Sequence, residues 1–493
     1  MNEGMEEGGR TTNDIAKILA RVIVIGFGVQ IVLGVFWACL QFPYFQEFGE
    51  SYFLLKVQEN LLCDEYVGIM YPMLIKAALW AAKSIPIPYT CYLYALQLAL
   101  AALSARYFLA AFPAIRKGGA ALGWLGALAV LTIPQAMQCH MAVLPHSLAA
   151  SIFLFQLGIA LRGFYASDPI EAKERDGKEQ EKSRGRGKWE MPSYRITIMG
   201  ILWLLEILLA PEYRYFGGIL LVFYAIWEIF RVRQAKTGFA GITAVVIVTA
   251  AMLGIVPQIW RFTMTEGCLG RMTDSPEAAA MRRYAWDDFG ELYGYWPQEL
   301  KDALTQEEIA VCNKYPEKKL WILGEKVDGV YGKETAREIY KAVARAGKKV
   351  RFKRNLKEMM KDAIGYGLAP LAQPSLMEGT GVQGYAAANY EIMRTKHPRL
   401  TCFYVRYCGW FFGAALFVSL ALLFMIFWMS KGKERMALLG KGIGFLCLGG
   451  LFVWYYVMRG GGMLDQKNAL PVTALWVAFA FVMTSFWMSG AKE

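Results

Sequence analysis

From residue 239 to residue 258 the chain reads FAGITAVVIVTAAMLGIVPQ, without one charged side chain. A helix needs about 20 predominantly apolar residues to cross the hydrocarbon core of a bilayer. A stretch with no polar face cannot lie on a protein surface as an amphipathic helix. Apolar blocks recur along the 493 residues, at 18–40, 89–112, 119–137, 142–161, 196–211, 215–230, 239–258, 402–429, 442–457 and 469–489. They predict an all-α integral membrane protein with about ten transmembrane helices. Composition agrees, since 56% of the residues are hydrophobic and only 19% charged, against roughly a quarter charged in a soluble chain.

One further block, 66–84 (YVGIMYPMLIKAALWAAKS), carries Pro72 and evenly placed interruptions, and charge decides its place. If it stays out of the membrane, one face of the threading holds both termini and the loops 113–118, 162–195, 231–238 and 430–441. These segments contain 21 Lys and Arg, while the short loops of the other face hold six. Letting 66–84 span would put 19 of the 21 outside, which the positive-inside rule rejects. The expectation is therefore a juxtamembrane helix at 66–84 on the outer face, cytoplasmic N- and C-termini in a cell membrane, and an extracytoplasmic segment 259–400. The net charge of +12 is then a property of loops beside lipid headgroups, and no nucleic-acid partner is expected. The polar, acidic start MNEGMEEGGRTTNDIAK does not read as a cleavable signal, so the first apolar block reads as a retained anchor. None of the nine cysteines forms a CxxC pair, so no structural zinc site is expected. A disulfide among outward-facing cysteines is left open.

Three parts follow: a membrane module 1–258 of about seven spans, with its first outer loop at 41–88; the extracytoplasmic domain 259–400; and a module 401–493 of about three spans. The insert 171–190 is a mixed-charge run that predicts a loop without fixed structure. Within 259–400, helical patterning at 298–312 and 332–347 predicts a mostly helical domain, with Gly332 before the second helix and Gly347 at its C-terminal cap.

Chemistry-bearing residues gather in the outer turns. Asp64 and Glu65 stand side by side just before 66–84. A carboxylate beside apolar walls can serve as a base or metal ligand; the competing reading is a solvated acidic turn capping the next helix. His140 and His146 are two of three histidines in the chain and flank the turn between the third and fourth spans, with Pro134, Gln138, Pro145 and Ser147. They suit a phosphate or acid–base role, or His146 simply caps a helix start; no third ligand at regular spacing makes them a metal pair. The hairpin LLEILLAPEYRYFGG brings Glu206, Glu212 and Arg214. Glu206 lies inside an apolar block, where a carboxylate faces a cavity or partner or reaches up to the interface. Arg271, Arg282 and Arg283 are interleaved with Trp286, Tyr293, Tyr295 and Trp296, a mixture suited to phosphate and sugar faces, or to an ordinary interfacial aromatic belt.

The first span, the outer Asp64-Glu65 pair and the helix containing Tyr71-Pro72 resemble the GT-C superfamily of membrane glycosyltransferases. The likeness is nearest to the branch of dolichyl-phosphate-mannose protein mannosyltransferases and their bacterial relatives. LYALQLALAALSARYFL, VLPHSLA and APEYRY sit where that family places its turns, and the resemblance covers about residues 18–260. It implies an inverting transferase that takes a sugar from a polyprenyl-phosphate donor to a glycan, lipid or protein acceptor on the outer face. Asp64 would be the base and Glu65 its neighbour in substrate or metal binding, a divalent metal being the one candidate cofactor. His140, His146, Glu212, Arg214, Arg282 and Arg283 would bind substrate. His146 stands where relatives often carry an acid, and Ala210 rather than Arg precedes Pro211, with Arg214 as the substitute. Two other readings stand beside this one. A surface-polysaccharide polymerase or ligase would rely on Arg282, Arg283 or Arg399. A transporter or flippase of lipid-linked saccharide would show paired halves and mid-bilayer charge, of which the sequence carries little.

Overall fold

The computed structural model describes residues 3–41, 68–166, 192–210, 213–234, 239–262, 289–314, 316–354, 398–429 and 466–488. Every regular element among them is helical: α1 (Glu3–Gln41), α2 (Met70–Ser84), α3 (Tyr89–Leu109), α4 (Pro113–Lys117), α5 (Gly119–Leu131), α6 (Pro134–His140), α7 (Pro145–Ala166), α8 (Pro192–Leu209), α9 (Arg214–Gln234) and α10 (Phe239–Arg261). After them come α11 (Phe289–Leu292), a 3-10 turn (Tyr293–Tyr295), α12 (Gln298–Ala303), α13 (Gln306–Lys314), α14 (Pro316–Arg354), α15 (Pro398–Met429) and α16 (Gln466–Met488). Among the described residues, five stretches are long and apolar enough to cross a membrane: Asp14–Cys39, Tyr89–Leu109, Pro145–Phe164, Ala240–Trp260 and Arg406–Met425.

The expected single span at 119–137 is not one helix. α5 stops at Leu131, Thr132 and Ile133 break the run, and α6 begins at Pro134. Proline has no N–H and clashes with the preceding turn, so it opens a helix more readily than it continues one. Thr132 closes α5 by turning its hydroxyl onto Leu128 O at 2.8 Å. The helix at 66–84 likewise starts only at Met70, and it buries Tyr71, Pro72, Ile75 and Ala78 against the bundle.

One apolar core unites α1 to α10 with α15 and α16. α1 runs antiparallel to both C-terminal helices. At one level Tyr407 Oη donates to Gly26 O at 2.9 Å, and Phe27 meets Phe411, Phe412 and Phe481 edge-on. At the other level Ala16 and Ala20 join Leu422, Met483 and Trp487 in one cluster. α15 and α16 therefore point the same way, with Ser419 Oγ 3.5 Å from Ala480 O. Met429 lies ten residues beyond that level and Gln466 fourteen before it, so at 1.5 Å per residue the two ends stand about 36 Å apart along the axis. Gln30, fully buried on α1, donates to Ala129 O at 3.0 Å and Thr132 Oγ1 at 3.2 Å. It thus satisfies the broken end of α5.

Residues 289–354 have a core of their own, built on Leu292, Trp296, Leu300, Leu323, Val327 and Tyr340. The pattern expected as one helix over 298–312 is two, because Thr305 caps α13. Its hydroxyl accepts from the Glu308 amide (3.1 Å), and the Glu308 carboxylate accepts from the Thr305 amide (2.9 Å), a reciprocal capping box. α14 is interrupted where expected, at Gly332, whose φ of 71° favours glycine. Gly347 does not end the helix, which continues to Arg354. A Cβ there would stand 3.0 Å from Leu292 Cδ1, so glycine serves close packing rather than capping.

The Thr305 amide, with Lys326 beside it, holds the Glu308 carboxyl below its ordinary value. A carboxyl lowered in the folded state adds stability above its unfolded value of about 4.3, and that stability is lost as pH falls through the lower folded value. Amide exchange protection over 306–314 is thus expected to fall on acidification through this window, and Glu308→Gln is expected to flatten the dependence. Equal pH profiles in the two proteins would remove Glu308 from the account.

Candidate functional site

The helix α8 ends at Leu209 and leaves backbone carbonyls without intrahelical donors. Leu209 O is met by the amide of Gly68 at 3.1 Å. A Cβ on Gly68 would overlap Leu208 O, Leu208 C and Leu209 N, all backbone atoms that cannot swing away. Glycine is therefore what lets the entry to α2 touch the end of α8. Beyond that point Ala210 N donates to Glu206 O (2.8 Å) and Tyr213 N to Ala210 O (2.9 Å), which folds the chain into α9.

A second junction lies under the first. Tyr71 Oη donates to Gln97 Oε1 at 2.6 Å, and Gln97 Nε2 donates to His140 O at 2.7 Å and Ala142 O at 2.9 Å. Carbonyls only accept, so they fix which end of the amide is nitrogen. Gln97 is wholly buried and links α2 and α3 to the turn between α6 and α7. In that turn His140 Nδ1 lies 2.8 Å from Ser147 Oγ, and Ser151 Oγ donates to Ser147 O at 2.8 Å. A cavity of about 20 Å³ beside His140, Ser104 and Ser151 is roughly the room one water needs. His146 packs edge-on against Tyr213, with centroids 6.0 Å apart, and so joins the turn before α7 to the turn before α9.

Neither the chain nor any part of it matched a protein-family model or a curated protein.

The geometry brings three turns together: the entry to α2 at Gly68, the turn 140–147, and the turn 209–213. His140 and His146 are in this junction, 5% and 1% exposed, so each ring acts on its protein neighbours rather than on bulk solvent. Glu206 does not reach an interface; it is fully buried between α7, α8 and α9. Arg214 opens α9; its side chain, together with Asp64, Glu65, Glu212, Arg282 and Arg283, lies outside the described residues. No group of three or more His, Cys, Asp or Glu able to hold a metal occurs among the described residues.

Gly68, Gln97 and Tyr71 are the residues that sequence reasoning passed over as functional. Gln97 did carry a signal, being the one amide in LYALQLALAALSARYFL, where an apolar surrounding forces it to find partners. Gly68 carried none, because a close backbone approach leaves no trace in composition.

Proposed function

We propose that this protein is a polytopic membrane glycosyltransferase. It would move a sugar from a polyprenyl-phosphate donor to a glycan, lipid or protein acceptor at the outer face, with inversion. The observation that carries the reading is the convergence at Gly68, 140–147 and 209–213. Gly68 stands four residues from Asp64, and in sequence the segment 209–213 contains Glu212 and is followed by Arg214. In this reading Asp64 takes the acceptor proton, Glu65 supports it or a divalent metal, and Arg214, Arg282 and Arg283 receive phosphate. The apolar helices provide grooves for the prenyl chain. His140 and His146 hold the turns that shape the site.

The same proposal includes about ten spans, both termini inside and 259–400 outside. Support for the ninth span comes from α15 and α16. Two helices that point the same way need a connection that returns across their whole length, and residues 442–457 are the apolar stretch available for it.

Asp64→Asn tests the reading, with donor binding and sugar transfer followed separately in nanodiscs against a panel of labelled polyprenyl-phosphate sugars. Loss of transfer by about 100-fold or more with donor binding kept is the expected result. Full transfer by the variant would move the site to the later outer segments, and a wild type inert on every donor would end the transferase reading.

A further inference from the structure

The helices α7, α8 and α9 meet at a small polar cluster inside an apolar bundle. Gln156 and Glu206 are both 0% exposed. Gln156 Nε2 donates to Met199 O at 2.9 Å and to Gly217 O at 3.4 Å. Those carbonyls only accept, so the amide cannot be turned round, and Gln156 Oε1 is left facing away from them. The space a side chain on Gly217 would fill is bounded by Glu206 Oε2, by Trp203 Cδ1 at 2.8 Å and by Gln156 Oε1 at 3.2 Å. Neither Glu206 oxygen nor Gln156 Oε1 has a hydrogen-bond partner among the described residues. Two acceptor oxygens, Glu206 Oε2 and Gln156 Oε1, thus meet at one glycine, and no side-chain donor among the described residues answers them.

An ionised carboxylate is not tolerated alone in an apolar interior; it takes a partner, a cation or a proton. The first turn of α9 offers some compensation, since Glu206 faces the backbone of Gly217 there. A helix N-terminus supplies only about half an elementary charge, and this leaves Gln156 Oε1 unanswered. The ionisable side chains described on the three helices besides Glu206 are His146 and Arg162 on α7, Tyr194 and Arg195 on α8, and Tyr224, Glu228, Arg231 and Arg233 on α9, with Tyr213 just before α9. None of them hydrogen-bonds to Glu206. Glu228 is itself paired with Arg231, toward the far end of α9.

We propose that Glu206 and Gln156 form a binding site for one small positive charge, either a proton or a monovalent alkali cation. Bound there, it ties α7 to the α8–α9 hairpin. Glycine at 217 keeps the space between the two acceptor side chains open. The site is independent of the transfer reaction, but it lies one turn below the 210–213 turn, so its occupancy stiffens the element that leads into Glu212 and Arg214.

The test uses the full-length protein in nanodiscs. Its Tm is measured in sodium, lithium or choline chloride at constant ionic strength, and in choline chloride from mildly alkaline to mildly acidic buffer. A gain in sodium or lithium over choline, absent in Glu206→Gln, assigns a metal cation. A gain on acidification in choline alone, absent in Glu206→Gln, assigns a proton. The sign follows because a folded state that binds a proton the unfolded chain does not is stabilised as pH falls. Gln156→Leu keeps the carboxylate and is expected to shift the half-point about tenfold in cation concentration or about one pH unit. It also decides the matter if Glu206→Gln does not fold. A wild-type Tm that follows neither sodium, lithium nor pH overturns the site, as does a dependence that survives both substitutions.

Discussion

Gly68→Ala is expected to abolish the proposed sugar transfer while leaving most of the helices in place. The added methyl group would have to occupy space held by Leu208 O, Leu208 C and Leu209 N. Backbone cannot rotate out of the way, so the entry to α2 must lift off the end of α8. The local cost combines overpacking of about 1–3 kcal/mol with loss of the Gly68 amide from Leu209 O, about 1–3 kcal/mol for a buried acceptor left alone. A displacement near 1 Å at a segment that positions reacting groups is enough to cost about 100-fold in rate, which is the fall expected in the proposed sugar transfer. Circular dichroism should show nearly unchanged helix content. Wild-type transfer by Gly68→Ala would mean that the touch between α2 and α8 does not position the reacting groups.

Gln97→Leu is the second large effect, and it should appear in stability before it appears in activity. Leucine fills nearly the same volume but leaves Tyr71 Oη, His140 O and Ala142 O without the partner that now serves all three. Each unanswered buried group costs about 1–3 kcal/mol, so a loss on the order of 3–6 kcal/mol is expected after partial relaxation. Tyr71→Phe removes the bond to Gln97 Oε1 and the contact of Tyr71 Oη with the Leu144 backbone, and should cost about 1–2 kcal/mol. Thermal unfolding in detergent of the two variants and their double mutant checks the order. Since Tyr71 acts through Gln97, the double mutant should be little worse than Gln97→Leu alone. Additive losses would mean that the two residues support different parts of the bundle.

The periodicity of the sequence made the long helices legible. Long apolar runs such as 89–112 and 142–161 leave no continuous polar face, and the structure has helices of membrane-spanning length and apolarity at both. The break inside 119–137 was harder to read, because Thr132 and Pro134 hardly alter hydropathy, while their effect on backbone hydrogen bonding ends α5 and opens α6. The pairing of the turns was partly legible: acids, histidines and an arginine recur in them, and His146 does meet the turn before α9. What the histidines do there was not legible. Spacing says nothing about burial, and both rings are inside the protein. Gly347 shows the same limit in the 289–354 core. A glycine at a plausible helix end and a glycine making room for Leu292 are the same letter.

The packing of α1 against α15 and α16 bears on how the chain is made. Phe27 has its aromatic partners at Phe411, Phe412 and Phe481, and Ala16 and Ala20 share a cluster with Met483 and Trp487. A ribosome releases α1 into the bilayer more than 350 residues before those partners exist. Until then one flank of α1 faces lipid or an insertion chaperone, and only the flank bearing Gln30 can close early, on α5. Assembly therefore has a long wait built into it, set by contacts of very large sequence separation. Truncation before residue 466 should leave a membrane-inserted but proteolytically fragile product, whereas supplying residues 466–488 as a separate helix should restore its resistance.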